Sequence, residues 1–300
     1  MKNLTKSLVY TKQKKEYQLT ELRESKREQP LQNLNLYLEN EKGRGVPSLA
    51  FDRLSVWNHW NFINHYINND SVDYNYLAKS TLFSIESNNW DFFIGKLVET
   101  YDSAVPLHKA VKVLGQMLYL GWREKAIEYG NFLLKNINSK HYKGGVSKPI
   151  HSWFMLELFC KWQKIELDRE KLYYPSDLKI YKEVLDNWDT NDSNLLNKLV
   201  DKLSDFHINN SDEYVKTDKN GNEFSPDFTS SDYFIFAIEI LMWLFIRKDL
   251  GLVDYTPDNE LMTLKINQFP NQIIPYPKEE IVEQCKAKLK KENPTIEFDL

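Results

Sequence analysis

Between residues 185 and 196 the sequence reads LDNWDTNDSNLL, with Asp186, Asp189 and Asp192 at three-residue intervals around Trp188. Carboxylates so spaced could hold a metal ion, share general acid–base work or offer negative charge to a basic partner. The calcium reading fails on spacing. Asp189, Asn191 and Ser193 suit the first, third and fifth positions of an EF-hand loop, but Asn194 stands where glycine is needed and Val200 where a bidentate Glu belongs. Asp218, Asn220 and Asn222 begin a second near-match, which breaks at Glu223 and Thr229. Turn chemistry accounts for both, because Asp and Asn side chains bond readily to nearby backbone.

Other reactive groups give weaker signals. The sequence contains no P-loop, no GxGxxG after a strand, no HExxH and no GxSxG. His59 and His65 sit six residues apart, about 240° around a helix, so they do not share a metal from one face. His151 and Cys160 are nine apart, on opposite sides of one expected helix, which argues against a Cys–His nucleophile pair. Glu239 lies inside the apolar run YFIFAIEILMWLFI. There it is either a general acid raised by burial or, in the favoured reading, a carboxylate paired with an Arg or a backbone donor. Cys160 and Cys285, with no CxxC or ligand partner nearby, fit a reducing compartment. No metal or cofactor is expected.

These groups must be positioned by helices. Apolar residues recur at the helical period in LQNLNLYLEN after Pro30, FDRLSVWNHWNFINHYI, YNYLAKSTLFSIES, WDFFIGKLVETY and HKAVKVLGQMLYLG, and then in REKAIEYGNFLLKNI after a break at Gly121. The pair around Gly121 predicts an antiparallel helical hairpin. Further helices are expected at HSWFMLELFCKWQKI, SDLKIYKEVLDNW, NLLNKLVDKLSDFHINN, residues 233–249 after Ser230, Ser231 and Asp232, and KEEIVEQCKAKLKK. Thr190, Asn191 or Asp192 caps the helix that follows the opening stretch. Strand-like alternation is nearly absent; only the Asn220–Gly221 turn signal allows a small hairpin within 211–231. The expected class is all-α.

The chain has 300 residues, 42% of them hydrophobic, with only ten glycines. That is enough to bury a sizeable core in one large domain or two ordinary ones. KHYKGGVSKP at 140–149 is the best boundary, giving helical domains at 1–145 and 146–300. The start carries lysines without an apolar core or cleavage site, and the apolar run at 233–246 falls short of the roughly 20 residues a bilayer span needs. A cytoplasmic chain without a membrane partner is expected.

The net charge of −4 is unevenly spread: residues 1–28 hold eight Lys/Arg against four Glu, while residues 183–232 hold twelve Asp/Glu against four Lys. An acidic field repels nucleic acid and attracts basic proteins. The aromatic wealth of residues 51–101 comes without interleaved Lys/Arg, so it reads as core rather than as a base-stacking surface. Solvated helix faces would also explain the acidity, with Asp201 and Asp205 paired to Lys198 and Lys202. The basic start at Lys12, Lys14 and Lys15 reads as a solvated terminus.

From residue 173 onward the sequence resembles the C-terminal domain of the PoNi family, immunity proteins that neutralise PoNe DNase toxins. The resemblance is carried by YYPSDLKIYKEVLDNWDT, LLNKLVDKLSDFH and SDYFIFAIEILMWLFIRKDLGL in the same order over about 100 residues. NELMTLKINQFP departs from the family, with Asn259 and Glu260 in place of His-Pro and Leu264 in place of a usual proline. The resemblance implies an all-helical protein with two domains that is not an enzyme and binds a cognate nuclease toxin made by the same cell. It supplies no interface residues. Charge and position point instead to Asp186, Asp189 and Asp192, and to Asp212, Glu213, Asp218, Glu223 and Asp227, with Tyr214 or Phe224 as an aromatic anchor. The rival expectations are a metal-dependent hydrolase or nuclease using paired carboxylates, and a helical scaffold for some other protein.

Overall fold

The computed structural model describes residues 2–98, 106–137, 149–217, 221, 223–295 and 297. Its N-terminal helices are α1 (Lys2–Leu19), α2 (Gln29–Leu38), α3 (Val46–Asn69), α4 (Tyr74–Leu97), α5 (Leu107–Tyr119) and α6 (Arg123–Asn136). The remainder are α7 (Ile150–Gln163), α8 (Ile180–Asp186), α9 (Ser193–Asn209), α10 (Ile238–Asp249) and α11 (Glu280–Glu292). The class is all-α, as the periodicity predicts. The described strands form one antiparallel pair, β1 (Lys216–Thr217) and β2 (Glu223–Phe224), with Lys216 opposite Phe224. This is the small hairpin expected at Asn220–Gly221, and Gly221 takes the positive φ of +83° that such turns require.

Four elements differ from expectation, each for a local reason. The lysine-rich start is not a loose terminus but α1, whose inward face is Leu4, Ser7, Thr11 and Lys15, all buried. Three of those four are polar, so apolar periodicity misses the helix. The two helices expected over 74–101 are one, α4, running through Asn88 and Asn89. Asn88 escapes its usual role as a breaker by donating to Tyr129 Oη at 2.6 Å. Helix α8 starts later than Ser176, because Asp177 Oδ1 accepts the Lys179 amide at 2.7 Å and Lys179 adopts φ +52°. Helix α10 starts at Ile238 rather than 233. Asn267 takes the place of helical partners there, accepting from Ala237 N at 3.0 Å and donating to Ile235 O at 2.9 Å.

The expected boundary near 145 falls mostly outside the described residues. Helices from both sides of it share a core. Leu114 and Met117 of α5, Trp153 and Phe154 of α7 and Leu241 and Trp243 of α10 belong to one buried cluster. Gly115 permits this approach, since a Cβ there would lie 2.7 Å from Met155 Cε and 2.9 Å from Ile238 Cγ1. A second cluster joins Phe51, Phe83 and Trp90 to Val282, Cys285 and Leu289 of α11, which therefore returns to the N-terminal helices. Gly121, with φ +83°, turns the chain between α5 and α6. No described helix is long and apolar enough to cross a membrane.

Candidate functional site

The opening stretch is a join between α8 and α9, pinned from beneath. Arg247 of α10, 1% exposed, donates through Nη1 to Trp188 O at 2.9 Å and through Nη2 to Thr190 O at 2.7 Å and Val253 O at 3.0 Å. Trp243 Nε1 donates to the same Trp188 carbonyl at 2.9 Å. Burial pulls the Arg247 guanidinium below its ordinary value, opposed by Asp189 and Asp254. Asp192 is the cap among the three expected candidates, accepting from Asn194 N at 2.9 Å and Leu195 N at 3.2 Å. Asn191 Oδ1 accepts from Val253 N at 3.3 Å. The clamp fixes the backbone and leaves the Asp186, Asp189 and Asp192 side chains exposed.

It also draws in carboxylates that the charge pattern alone does not single out. Asp254, Asp258 and Glu260 are exposed on the segment tied to the join through Val253, and Asn259 Nδ2 donates to Asp201 Oδ1 at 3.1 Å. Asp201 and Asp205 are exposed on α9. The pairing expected of Lys202 along the helix gives way to one across it, because Lys202 Nζ reaches Glu183 Oε1 at 2.7 Å. Asp186 keeps a surface ion pair with Lys182 at 2.7 Å.

Helix α9, 17 residues and so about 25 Å long, leads from this join to the second acidic group. Here α1 lies against the loop. Glu213 accepts from Lys14 Nζ at 2.7 Å, Tyr10 Oη at 2.8 Å and Ser231 Oγ at 2.6 Å. Burial alone would raise the Glu213 pKa, but these donors hold it below its ordinary value, while burial and Glu213 push Tyr10 up to about 12. Asp212 Oδ2 lies 3.8 Å from Lys6 Nζ. The basic start thus neutralises part of the acidic loop. Tyr214 and Glu223 are exposed. Asp218 lies outside the described residues, as does the Phe224 side chain.

Asp227 leaves the candidate surface. It is 8% exposed and faces inward, accepting from the Ile150 and His151 amides at 2.6 and 3.0 Å and lying 3.0 Å from His151 Nδ1. Burial would raise its pKa, yet His151 and the two amides hold it below its ordinary value. The carboxylate caps α7, a partner that sequence separation hides. Glu239 is likewise internal, and its partner is neither Arg nor backbone but His207, Nδ1 to Oε1 at 2.7 Å, both side chains 0% exposed. His207 Nε2 lies 3.0 Å from the Tyr233 carbonyl. A carbonyl only accepts, so Nε2 carries a proton and one further proton lies between Nδ1 and Oε1. His59 is buried beside Gln116, while His65 is half-buried. Burial pushes the Cys160 thiol up to about 12, far from a nucleophile's range.

Among the described residues, no three His, Cys, Asp or Glu side chains converge in a way that could hold a metal ion. What the exposed groups can do is present fixed negative charge along α9 and its two ends. Compared with protein-family models, curated proteins and solved structures, the chain matches none of them.

Proposed function

We propose that this chain is an immunity protein: a cytoplasmic inhibitor that binds a PoNe-like antibacterial DNase and keeps it off the producing cell's DNA. The reading starts from the ordered sequence blocks after residue 173 that resemble the PoNi family. The observation that carries it further is the carboxylate band from exposed Asp189 and Asp192, through exposed Asp201 and Asp205, to half-buried Asp212. Its join with the 253–260 segment is held by the Arg247 clamp. A DNase must offer a basic cleft to DNA, and a preorganised acidic surface is steered to that cleft and competes with the phosphates. Steering of this kind raises association rates by roughly 10- to 1,000-fold. Protection from a lethal enzyme also needs a long residence time, so a dissociation constant of about 1 nM or tighter is expected.

The test mixes the purified chain with a purified PoNe-type DNase, DNA and magnesium. Stoichiometric loss of cleavage supports the proposal. Cleavage by the chain alone would favour a nuclease instead, and binding without inhibition would favour a scaffold.

A further inference from the structure

A cavity of about 500 Å³ lies between α4, α6 and α11 and is also lined by Met117 of α5 and by Tyr276 ahead of α11. Its inner wall joins buried Leu82, Ile85 and Met117 to a carboxylate, Glu86, itself only 2% exposed. Lys286 Nζ donates to Glu86 Oε1 at 2.6 Å. Among the described residues no donor reaches Glu86 Oε2, which is buried as well. The rim is mixed: Lys125, Glu128, Lys278 and Glu283 are all exposed there. The Lys125 ammonium rests over the Tyr276 ring, 4.3 Å from its centre.

We infer that this cavity binds a small organic ammonium ion, whose charged head donates to Glu86 Oε2 and whose apolar body lies against Leu82, Ile85 and Met117. The volume falls within the range of small-molecule sites, about 300–1,000 Å³. A buried carboxylate oxygen without a donor is costly, because it has given up water and received no bond in return. Burial accordingly raises the Glu86 pKa, opposed by Lys286. No cation of the chain has to leave, since Lys286 serves the other oxygen. The rim carries two charges of each sign and selects neither, so the choice falls to the inner wall. There the lysine is already engaged, while the carboxylate keeps an accepting oxygen. An ammonium head makes a charge-assisted bond to it, stronger than a neutral hydroxyl makes in the same place, and an anion would be repelled. The site is independent of the acidic band around α9 and of the immunity reading.

The test titrates the full chain, isotope-labelled at its methionine methyls, with phenethylammonium, and with phenethyl alcohol and hydrocinnamate as the neutral and anionic counterparts. The Met117 methyl resonance reports from inside the cavity. Saturable shifts with a dissociation constant of about 1 mM are expected for the ammonium. The alcohol and the carboxylate should bind at least about tenfold more weakly. Glu86→Gln keeps an oxygen for Lys286 but removes the charge, and should weaken the ammonium at least about tenfold. Glu128→Gln, the same change on the exposed rim, should leave it within about threefold of the parent. Equal binding of ammonium and alcohol, tighter binding of the carboxylate, or no Met117 response at about 10 mM ammonium overturns the inference. An unaltered dissociation constant in Glu86→Gln does the same. The comparison of the three probes needs only the parent chain, so it decides the matter even where Glu86→Gln fails to fold.

Discussion

Replacing Arg247 with Met tests the clamp beneath the acidic join. The substitution removes the guanidinium but keeps an unbranched apolar stem of similar length, so little cavity forms. Thr190 O and Val253 O lose the Nη2 donor, while Trp188 O keeps the one from Trp243. Each charge-assisted bond lost contributes about 1.5–3 kcal/mol. Against this, the variant no longer desolvates a guanidinium, which offsets part of the loss. The net expectation is a destabilisation of about 3 kcal/mol, within the margin of a domain stable by about 5–15 kcal/mol. Urea unfolding measures it, and amide exchange at residues 187–192 reports whether the join has loosened. A change under about 1 kcal/mol, with exchange at those amides unaltered, would refute the clamp. Asp189→Asn, exposed on the same join, should stay within about 0.5 kcal/mol of the parent.

Three further outcomes follow from other parts of the molecule. Glu239→Gln keeps a hydrogen-bonding partner for His207 Nδ1 and should cost under about 1 kcal/mol, whereas Glu239→Leu leaves that nitrogen unpaired in the core and should cost about 3 kcal/mol by urea unfolding. Asp227 has a depressed pKa, so its stabilisation is present above the unfolded value near about 3.9 and is lost as pH falls through the folded value. Asp227→Asn should therefore lower stability at neutral pH and flatten the acid limb below about pH 4, as followed by circular dichroism. Gly130→Ala places a Cβ 2.3 Å from the Phe159 ring and should cost at least about 2 kcal/mol despite alanine's better helix propensity.

The helices that bury an apolar stripe were legible, and α3, α6, α7, α9 and α11 fall close to where periodicity places them. Helix α1 was not, because it buries Ser7, Thr11 and Lys15 through specific bonds, such as Thr11 Oγ1 to Ser231 O at 3.2 Å, that no periodic pattern announces. The start of α10 was hidden for a similar reason: Asn267 satisfies its backbone from about 30 residues away. Within the candidate site, local signals did well. A cap was readable before the Leu195–Leu196 pair, at Thr190, Asn191 or Asp192, and only the structure singles out Asp192. Charge alone could not sort Asp227, which turns inward to α7, from Asp189, which stays in water. Nor could it foresee that Lys14 would meet Glu213 across nearly 200 residues. A hint did exist for Asp254, Asp258 and Glu260, which crowd into seven residues of the Pro-interrupted segment after α10, as the opening three carboxylates do in theirs, although at other intervals.

The central claim is that fixed negative charge on and around α9 engages a nuclease. Its most direct test is the association rate of the purified chain with a purified PoNe-type DNase, measured by stopped flow from low to physiological salt. The parent is compared with Asp189→Lys/Asp205→Lys/Asp258→Lys, three exposed positions that spare the Asp192 cap. Fast, strongly salt-dependent association is expected for the parent, slowed at least tenfold at low salt in the variant, with the two converging as salt rises. Equal rates at low salt, or no complex with the parent at micromolar concentration, would contradict it.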